Sequence, residues 1–460
     1  MSIVSSYIVP HPPMILSEVG KGSEKQIQKT IDSYEEIAKE IADINPETII
    51  ITSPHTKCYS DHFFINSGNI LKGDFGAFNA KEVVFEEEND IELIEEIERL
   101  AIDNNISCSR TKETPLDHGT MVPLYFIRKY LSKCKIIVIG LSYLSLIDHY
   151  KLGEIINTAV NNINRKVVFV ASGDLSHKLQ TYGPYGFIEE GPVYDEKVCN
   201  TMKSANFNEL LEFDENFLDK AAECGHRSFT IMSGVFDKKN VESIFLSHED
   251  VTGVGYALCK FYPKEDNINR NFKEQYLNRI KDDLNERYSI NDPYINLARD
   301  TIYSYIKYNK RIDIPNDIDE YLINNRGAVF VSIHKFGKLR GCIGTILPMK
   351  ECIAKEIIDN AISAATNDPR FDEINIDELD YLEINVDQLT TPEKIKSKEE
   401  LDTKKYGVIV TSGYKRGLLL PDLEGIDTVD YQIKIAKDKG NIKDNEDYEL
   451  ERFEVIRHKI

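Results

Sequence analysis

The stretch "KVVFVASGDLSH", residues 166–177, decides how the chain reads. Val167, Val168, Phe169, Val170 and Ala171 form an apolar run too short for a helix and rich in branched and aromatic residues, which reads as a buried strand. The run ends in Ser172-Gly173-Asp174, residues with turn chemistry, and a histidine follows at His177. Similar runs occur in "ETIIITSP" (47–54), "CKIIVIGLS" (134–142) and "ESIFLSH" (242–248). Between them lie segments of helical period, among them "SEKQIQKTIDSYEEIAKEIADI" (23–44) and "DIELIEEIERLAIDNN" (90–105). Buried strands alternating with amphipathic helices predict an α/β domain with a central, mainly parallel or mixed sheet.

Working outward, "GVGYALCKFYP" (253–263) supplies the last alternating strand of that domain, which closes at residue 262. Residues 263–289 are charged and poor in branched apolar residues, as expected of a linker. Residues 290–460 then open with an amphipathic helix, "PYINLARDTIYSYIKY", and a strand–turn–strand unit, "GAVFVSIHKFGKLRGCIGTI", turning at Gly337. Helices and strands continue to the C-terminus, predicting a smaller α+β domain. A chain of 460 residues exceeds what one core usually serves, in agreement with two domains.

The net charge of −21 excludes nucleic acid and anionic membranes as natural partners, because affinity for either depends on neutralising phosphates with Lys and Arg. No apolar run reaches the length of a membrane span, and the first residues lack a basic-then-apolar signal, so the cytoplasm is the expected location. The eight cysteines include no CxxC pair, which argues against a disulfide framework or a structural zinc site.

The histidines carry the functional signal. His11 follows the first apolar run in "VPHPP", His55 follows the second in "SPH", and His177 closes the stretch quoted first. Ligands in open α/β sheets bind beyond the carboxyl ends of strands, so these three can converge. Prolines at 10, 12, 13 and 54 stiffen two of the loops. Two imidazoles and one carboxylate form a donor set suited to Fe(II) with open positions. Glu223, in "LDKAAECGHRSFTIMSGVF", is the candidate carboxylate, in a stretch of helical spacing. Glu223 could equally pair with Arg227 one turn on. Cys224 is a competing donor whose thiolate would favour zinc or Cu(I). His118, beside Asp117 in what reads as a Pro- and Gly-containing loop, and His177, near Asp174, are candidates for acid/base work.

In the order "HPP", "SPH", "LDHG…VPL" and "GDLSH", residues 1–262 resemble the class III extradiol dioxygenases, the LigB-like family, and the related Memo proteins. That resemblance implies His11, His55 and Glu223 as ligands of a non-haem Fe(II), His177 as the acid/base residue and His118 as a second active-site histidine. It implies a small-molecule substrate, an aromatic diol, opened with O2. Met121 stands where such dioxygenases often carry Trp, and "ECGHRSF" is similar to the Memo branch, whose third metal-site residue is a cysteine. Two other functions compete with ring cleavage: a non-oxygenase metal enzyme or hydrolase using the same site, and a non-enzymatic metal-binding scaffold.

From residue 290 the chain resembles the AMMECR-type domain, through "LRGCIGT" (339–345), "ATNDPRF" (365–371) and "GLLLPDLEG" (417–425). The fusion of the two halves resembles the AmmeMemoRadiSam system protein A family, which implies a radical-SAM protein partner. Within "RGCIG", Cys342 lies where flanking glycines let the backbone approach a ligand, and Arg340 could lower the thiol pKa. Cys342 is therefore a catalytic candidate, against the alternative of a buried structural cysteine.

Overall fold

The computed structural model describes residues 2–111, 114–423 and 425–460; Glu424 of "GLLLPDLEG" lies outside the described residues. The chain divides into two compact units, Met1–Tyr276 and Leu277–Ile460.

Among the described residues the first unit contains ten strands: β1 (Ile3–Val9), β2 (Thr48–Ser53), β3 (Phe63–Asn66), β4 (Ile70–Phe75), β5 (Ala80–Glu88), β6 (Cys108–Thr111), β7 (Lys135–Gly140), β8 (Val167–Ser172), β9 (Lys239–Glu249) and β10 (Tyr256–Asp266). Eight form one mixed sheet in the order β6-β3-β7-β2-β8-β1-β10-β9, and β4 pairs with β5 apart from it. The centre, β7-β2-β8-β1, is parallel throughout, and β10 closes it antiparallel. Ile49 and Ile51 of β2 and Val168 and Val170 of β8 pack with Tyr34, Ile37, Ile41, Val122 and Phe126 from the helices Gln28–Ile44 and His118–Ile127. Ile50 and Phe169, facing the other way, are also fully buried. Strands covered on both faces explain why these runs are continuously apolar rather than alternating.

Parallel register places the carboxyl ends of the central strands side by side. Val9 pairs with Ser172, and Ser53 pairs with Gly140. The loops that begin there carry His11, His55 and Asp174.

The charged stretch 263–289 has regular structure. β10 runs through Pro263 to Asp266, and the helix Phe272–Tyr288 follows. Pro263 is tolerated because β1 pairs with β10 only over Cys259–Phe261, leaving the proline paired with β9 alone.

The second unit continues with β11 (Ala328–Lys335), β12 (Lys338–Gly344), β13 (Leu382–Leu389), β14 (Glu393–Ile395), β15 (Gly407–Ser412), β16 (Lys415–Leu419), β17 (Glu449–Phe453) and β18 (Val455–His458). They make two antiparallel sheets, β12-β11-β13-β18 and β14-β17-β15-β16. The helices Pro293–Tyr308 and Ile353–Thr366 pack on one face of the first sheet, against Val329, Val331, Ile333, Ile384 and Val386. The glycines of "RGCIG" serve this packing: a Cβ on Gly341 would run into the Ala364 carbonyl, and one on Gly344 into the Phe330 ring. The close approach anticipated for a ligand is taken up by the protein's own helix and ring.

Among the described residues no helix is long and apolar enough to cross a membrane.

Candidate metal centre

His11 is fixed on both sides of its peptide. Tyr34 donates its hydroxyl to the Pro10 carbonyl, and the His11 N–H donates to Asp174 Oδ1 at 2.8 Å. The side chain is 1% exposed. Its Nδ1 lies 2.9 Å from Ser172 Oγ, and Ser172 donates its one hydroxyl proton to the Gly119 carbonyl at 2.6 Å. The Ser172 oxygen must therefore accept from His11, so the proton sits on Nδ1 and the Nε2 lone pair is free.

The Gly119 carbonyl is available because of Pro123. His118 opens the helix His118–Ile127, capped by Asp117, whose side chain accepts from Thr120 N–H. Pro123 lies inside that helix and has no N–H for the carbonyl four residues back, which is Gly119. The "LDHGTMVP" segment is thus a helix start, where proline content suggested a loop. Asp117 orients the helix by also accepting from Ser53 Oγ at 2.5 Å.

His11 Nε2 faces His55 Nε2 at 3.0 Å and Cys224 Sγ at 3.5 Å. The His55 and His118 rings stack with centroids 4.1 Å apart, and both meet His11 edge-on. Two overlapping trios of donor atoms result: His11, His55 and His118, and His11, Asp174 and Cys224, each within 4.8 Å.

Glu223 is not brought into either trio. The segment read as one helix is two, Glu215–Ala221 and His226–Val235, separated by Ala222 at φ 53°. The Glu223 carboxylate turns back to accept from His226 N–H at 2.5 Å, and Arg227 pairs with Glu215. The break presents Cys224 instead, whose Sγ also accepts from Asp174 N–H at 3.3 Å.

His177 lies beside this cluster. Its Nδ1 donates to the Ala222 carbonyl, so the left-handed residue that breaks the helix also sets a tautomer. The free His177 Nε2 stands 3.9 Å from Asp174 Oδ2. The Tyr185 ring lies 5.3 Å from the His177 ring.

Burial governs the electrostatics. It holds His11 well below the usual imidazole range, with His55 and His118 adding to the shift, and it lowers His177 and His118. Loss of water lowers His55 to about 4, the neighbouring His118 adding to the effect. All four rings are neutral near pH 7, the form that donates to metals. Burial pushes Asp174 up to about 7 against the His11 N–H that opposes it, and pushes the Cys224 thiol upward. Neutral imidazoles with converging lone pairs, beside an acid and a thiol that lack a cationic partner among the described residues, fit a metal ion, which would deprotonate the thiol on binding.

Sequence reasoning missed Ser172, Ser53 and Tyr34. The first two carry a legible signal: each is a serine at the last position of a buried strand, directly before Gly173 or Pro54. In the second unit, Cys342 is on β12. Arg340 does not approach its thiol but grips Glu378, at 2.9 and 3.0 Å, and the carbonyls of Asp372 and Glu373. Burial pushes the Cys342 thiol up, opposite to the anticipated activation.

Comparison with known proteins supplies the relationship. Residues 5–259 match the family described as the catalytic LigB subunit of aromatic ring-opening dioxygenase, and residues 295–458 match AMMECR1. A protein of Clostridium acetobutylicum is 42% identical over the whole of both chains. A protein of Thermotoga maritima is 50% identical over 169 residues, 36% of this chain and 97% of its own length. A solved structure of an Escherichia coli K12 protein covers 56% of this chain and 99% of its own, at 14% identity and a TM-score of 0.40.

Proposed function

This chain belongs to the family of the catalytic LigB subunit of aromatic ring-opening dioxygenases, with an AMMECR1 unit following it, and on that premise we propose that its histidine cluster is a metal-dependent catalytic site for a small molecule. The observation that carries the proposal is the convergence of His11 Nε2 on His55 Nε2 and Cys224 Sγ, at 3.0 and 3.5 Å. In this reading His11, common to both trios, holds the ion with His55 from one and Cys224 from the other, Cys224 taking the place that the resemblance implied for Glu223. A bound ion would supply Lewis-acid charge for substrate oxygens and, as iron(II), electrons for O2.

The other groups act on the substrate. His177, neutral and with its Nε2 lone pair free, takes a proton from a substrate hydroxyl and returns it later in the cycle. Asp174, 3.9 Å away, stabilises the imidazolium that forms. His118, stacked on His55, contributes a second polar edge beside the other donors.

Ring opening of an aromatic diol with iron(II) is the reading that the family description favours. Cys224 favours a second: a thiolate makes the donor set softer, suiting zinc or Cu(I) in a non-oxygenase enzyme. Metal analysis of the purified chain, with O2 uptake measured on 3,4-dihydroxybenzoate as a test diol, separates them. Iron with uptake that His177→Ala abolishes supports the first; zinc or copper without uptake supports the second. A chain that holds no metal after reconstitution with iron, zinc or copper sinks both and leaves a scaffold role. The proposed location is the cytoplasm and the proposed partner a radical-SAM protein, checked by co-purification from cells producing both.

A further inference from the structure

One sheet face of the second unit packs at its apolar end, Ala328, Phe330 and Leu389, against Ile409, Leu418 and Phe453, and leaves its polar part unexplained. Antiparallel register aligns Cys342 of β12 with Ser332 of β11, and Ser332 with Asn385 of β13. The next row aligns Phe330 with Asp387, and the row on the other side aligns His334 with Glu383. Their neighbours Val331, Ile333, Ile384 and Val386 point into the helix-covered core, so all these side chains share the opposite face.

Three buried atoms on this face have no hydrogen-bond partner among the described residues: Asn385 Oδ1, Asp387 Oδ1 and His334 Nδ1. Asn385 is only 8% exposed, and its Nδ2 reaches Glu383 Oε1 at a long 3.5 Å. Buried acceptors left unpaired cost stability, and a fold that keeps several in one patch has a use for them. Beside them the Cys342 thiol lies 3.9 Å from Ser332 Oγ, in donor orientation. The Cys342 backbone is pinned from the strand edge, its N–H donating to Asp368 Oδ2 at 2.8 Å and its carbonyl accepting from Arg370 at 3.2 Å. Arg340, the nearby cation in sequence, is held away by Glu378, whereas Arg370 acts on the Cys342 thiol and Arg457 and Lys459 act on Asp387.

We propose that this face, formed by Cys342, Ser332, Asn385, Asp387 and His334, is a second ligand site, which takes a molecule bearing N–H donors of carboxamide, amidine or amine type and holds it against the Cys342 thiol. The unpaired oxygens accept from the ligand's nitrogen, and the neutral thiol forms part of the floor. The site is independent of the histidine cluster and of the activity proposed for it.

Alkylation of the full chain tests this with two matched probes, iodoacetamide and N,N-dimethyl-2-iodoacetamide, which share a carbonyl and a leaving group but differ in N–H. In either reaction the Cys342 sulfur bonds to the probe's methylene carbon, iodide leaves and the thiol proton passes to solvent. Peptide mass spectrometry reads each cysteine, with the exposed Cys58 as internal reference. Cys342 is expected to prefer iodoacetamide about tenfold more strongly than Cys58 does, the factor one or two neutral hydrogen bonds confer. Asn385→Leu is expected to bring the preference at Cys342 down to that at Cys58. Propanamide, which has the donors and no leaving group, should protect Cys342 but not Cys58, while N,N-dimethylpropanamide protects neither. Equal preference at the two cysteines, or equal protection by the two amides, overturns the proposal. The protection arm uses the unaltered chain, so it decides the matter even if Asn385→Leu fails to fold.

Discussion

Gly173 and Gly225 meet backbone to backbone: a Cβ on Gly173 would run into the Cα of Gly225. The contact joins the loop that follows β8 to the break between two helices, and it is reinforced by Gly225 N–H donating to the Asp174 carbonyl at 3.1 Å. It sets how near Cys224 comes to His11. Gly173→Ala is expected to destabilise the first unit by about 1–3 kcal/mol through overpacking and to weaken metal binding by pushing the two loops apart. Thermal unfolding and a metal titration on the same sample check both effects.

His11→Ala, His55→Ala and Cys224→Ala are each expected to reduce bound metal to a small fraction of stoichiometry, measured by inductively coupled plasma mass spectrometry. Glu223→Gln should retain it, because the carboxylate faces His226 N–H and a side-chain carbonyl can accept the same bond. Metal loss in Glu223→Gln with full occupancy in Cys224→Ala would reverse the assignment of the third donor.

Ser172→Ala removes the acceptor that holds the His11 proton on Nδ1. Metal affinity should fall by roughly 10–100-fold, the usual effect of losing a group that orients a metal-binding imidazole. Competition with a fluorescent chelator measures it; unchanged affinity would remove Ser172 from the site.

Glu378 in the second unit gives a pH prediction. Burial alone would raise its carboxyl, but Arg340 and Lys335 outweigh burial and hold it at about 2. Because the folded pKa is depressed, the unfolded chain binds the proton more readily between about pH 4.5 and 2. The stabilisation is complete above 4.5 and is lost as pH falls through that window, by about 1–3 kcal/mol. Glu378→Gln should flatten the acid limb of a denaturation series over this range.

Much of this architecture is legible in the sequence, and the exceptions share a cause. Continuous apolar runs such as Ile49–Ile51 announce strands buried on both faces, and the histidines after three of them, His11, His55 and His177, announce the edge where they end. What one-dimensional pattern could not supply was backbone exceptions. Pro123 looked like loop chemistry, yet it sits inside a helix whose missing hydrogen bond is used elsewhere. Ala222 looked like helix interior, yet its positive φ ends one helix and delivers Cys224, not Glu223, to the cluster. Cys342 looked activated by Arg340 two residues before it, but the pairing of β12 with β11 shifts register between Gly341 and Leu339, so Arg340 is the extra residue of a bulge and reaches Glu378 instead.

Pro123 touches none of the donor atoms, yet it takes part in choosing which nitrogen of His11 is bare. By removing one amide hydrogen it leaves Gly119 a carbonyl that takes the Ser172 hydroxyl, and Ser172 in turn takes the His11 proton. Replacement by alanine would relieve the helix and still threaten the chemistry, since the restored amide would compete for the same carbonyl. Tolerance to change at position 123 should therefore follow the address of a single proton rather than the comfort of the helix that contains it.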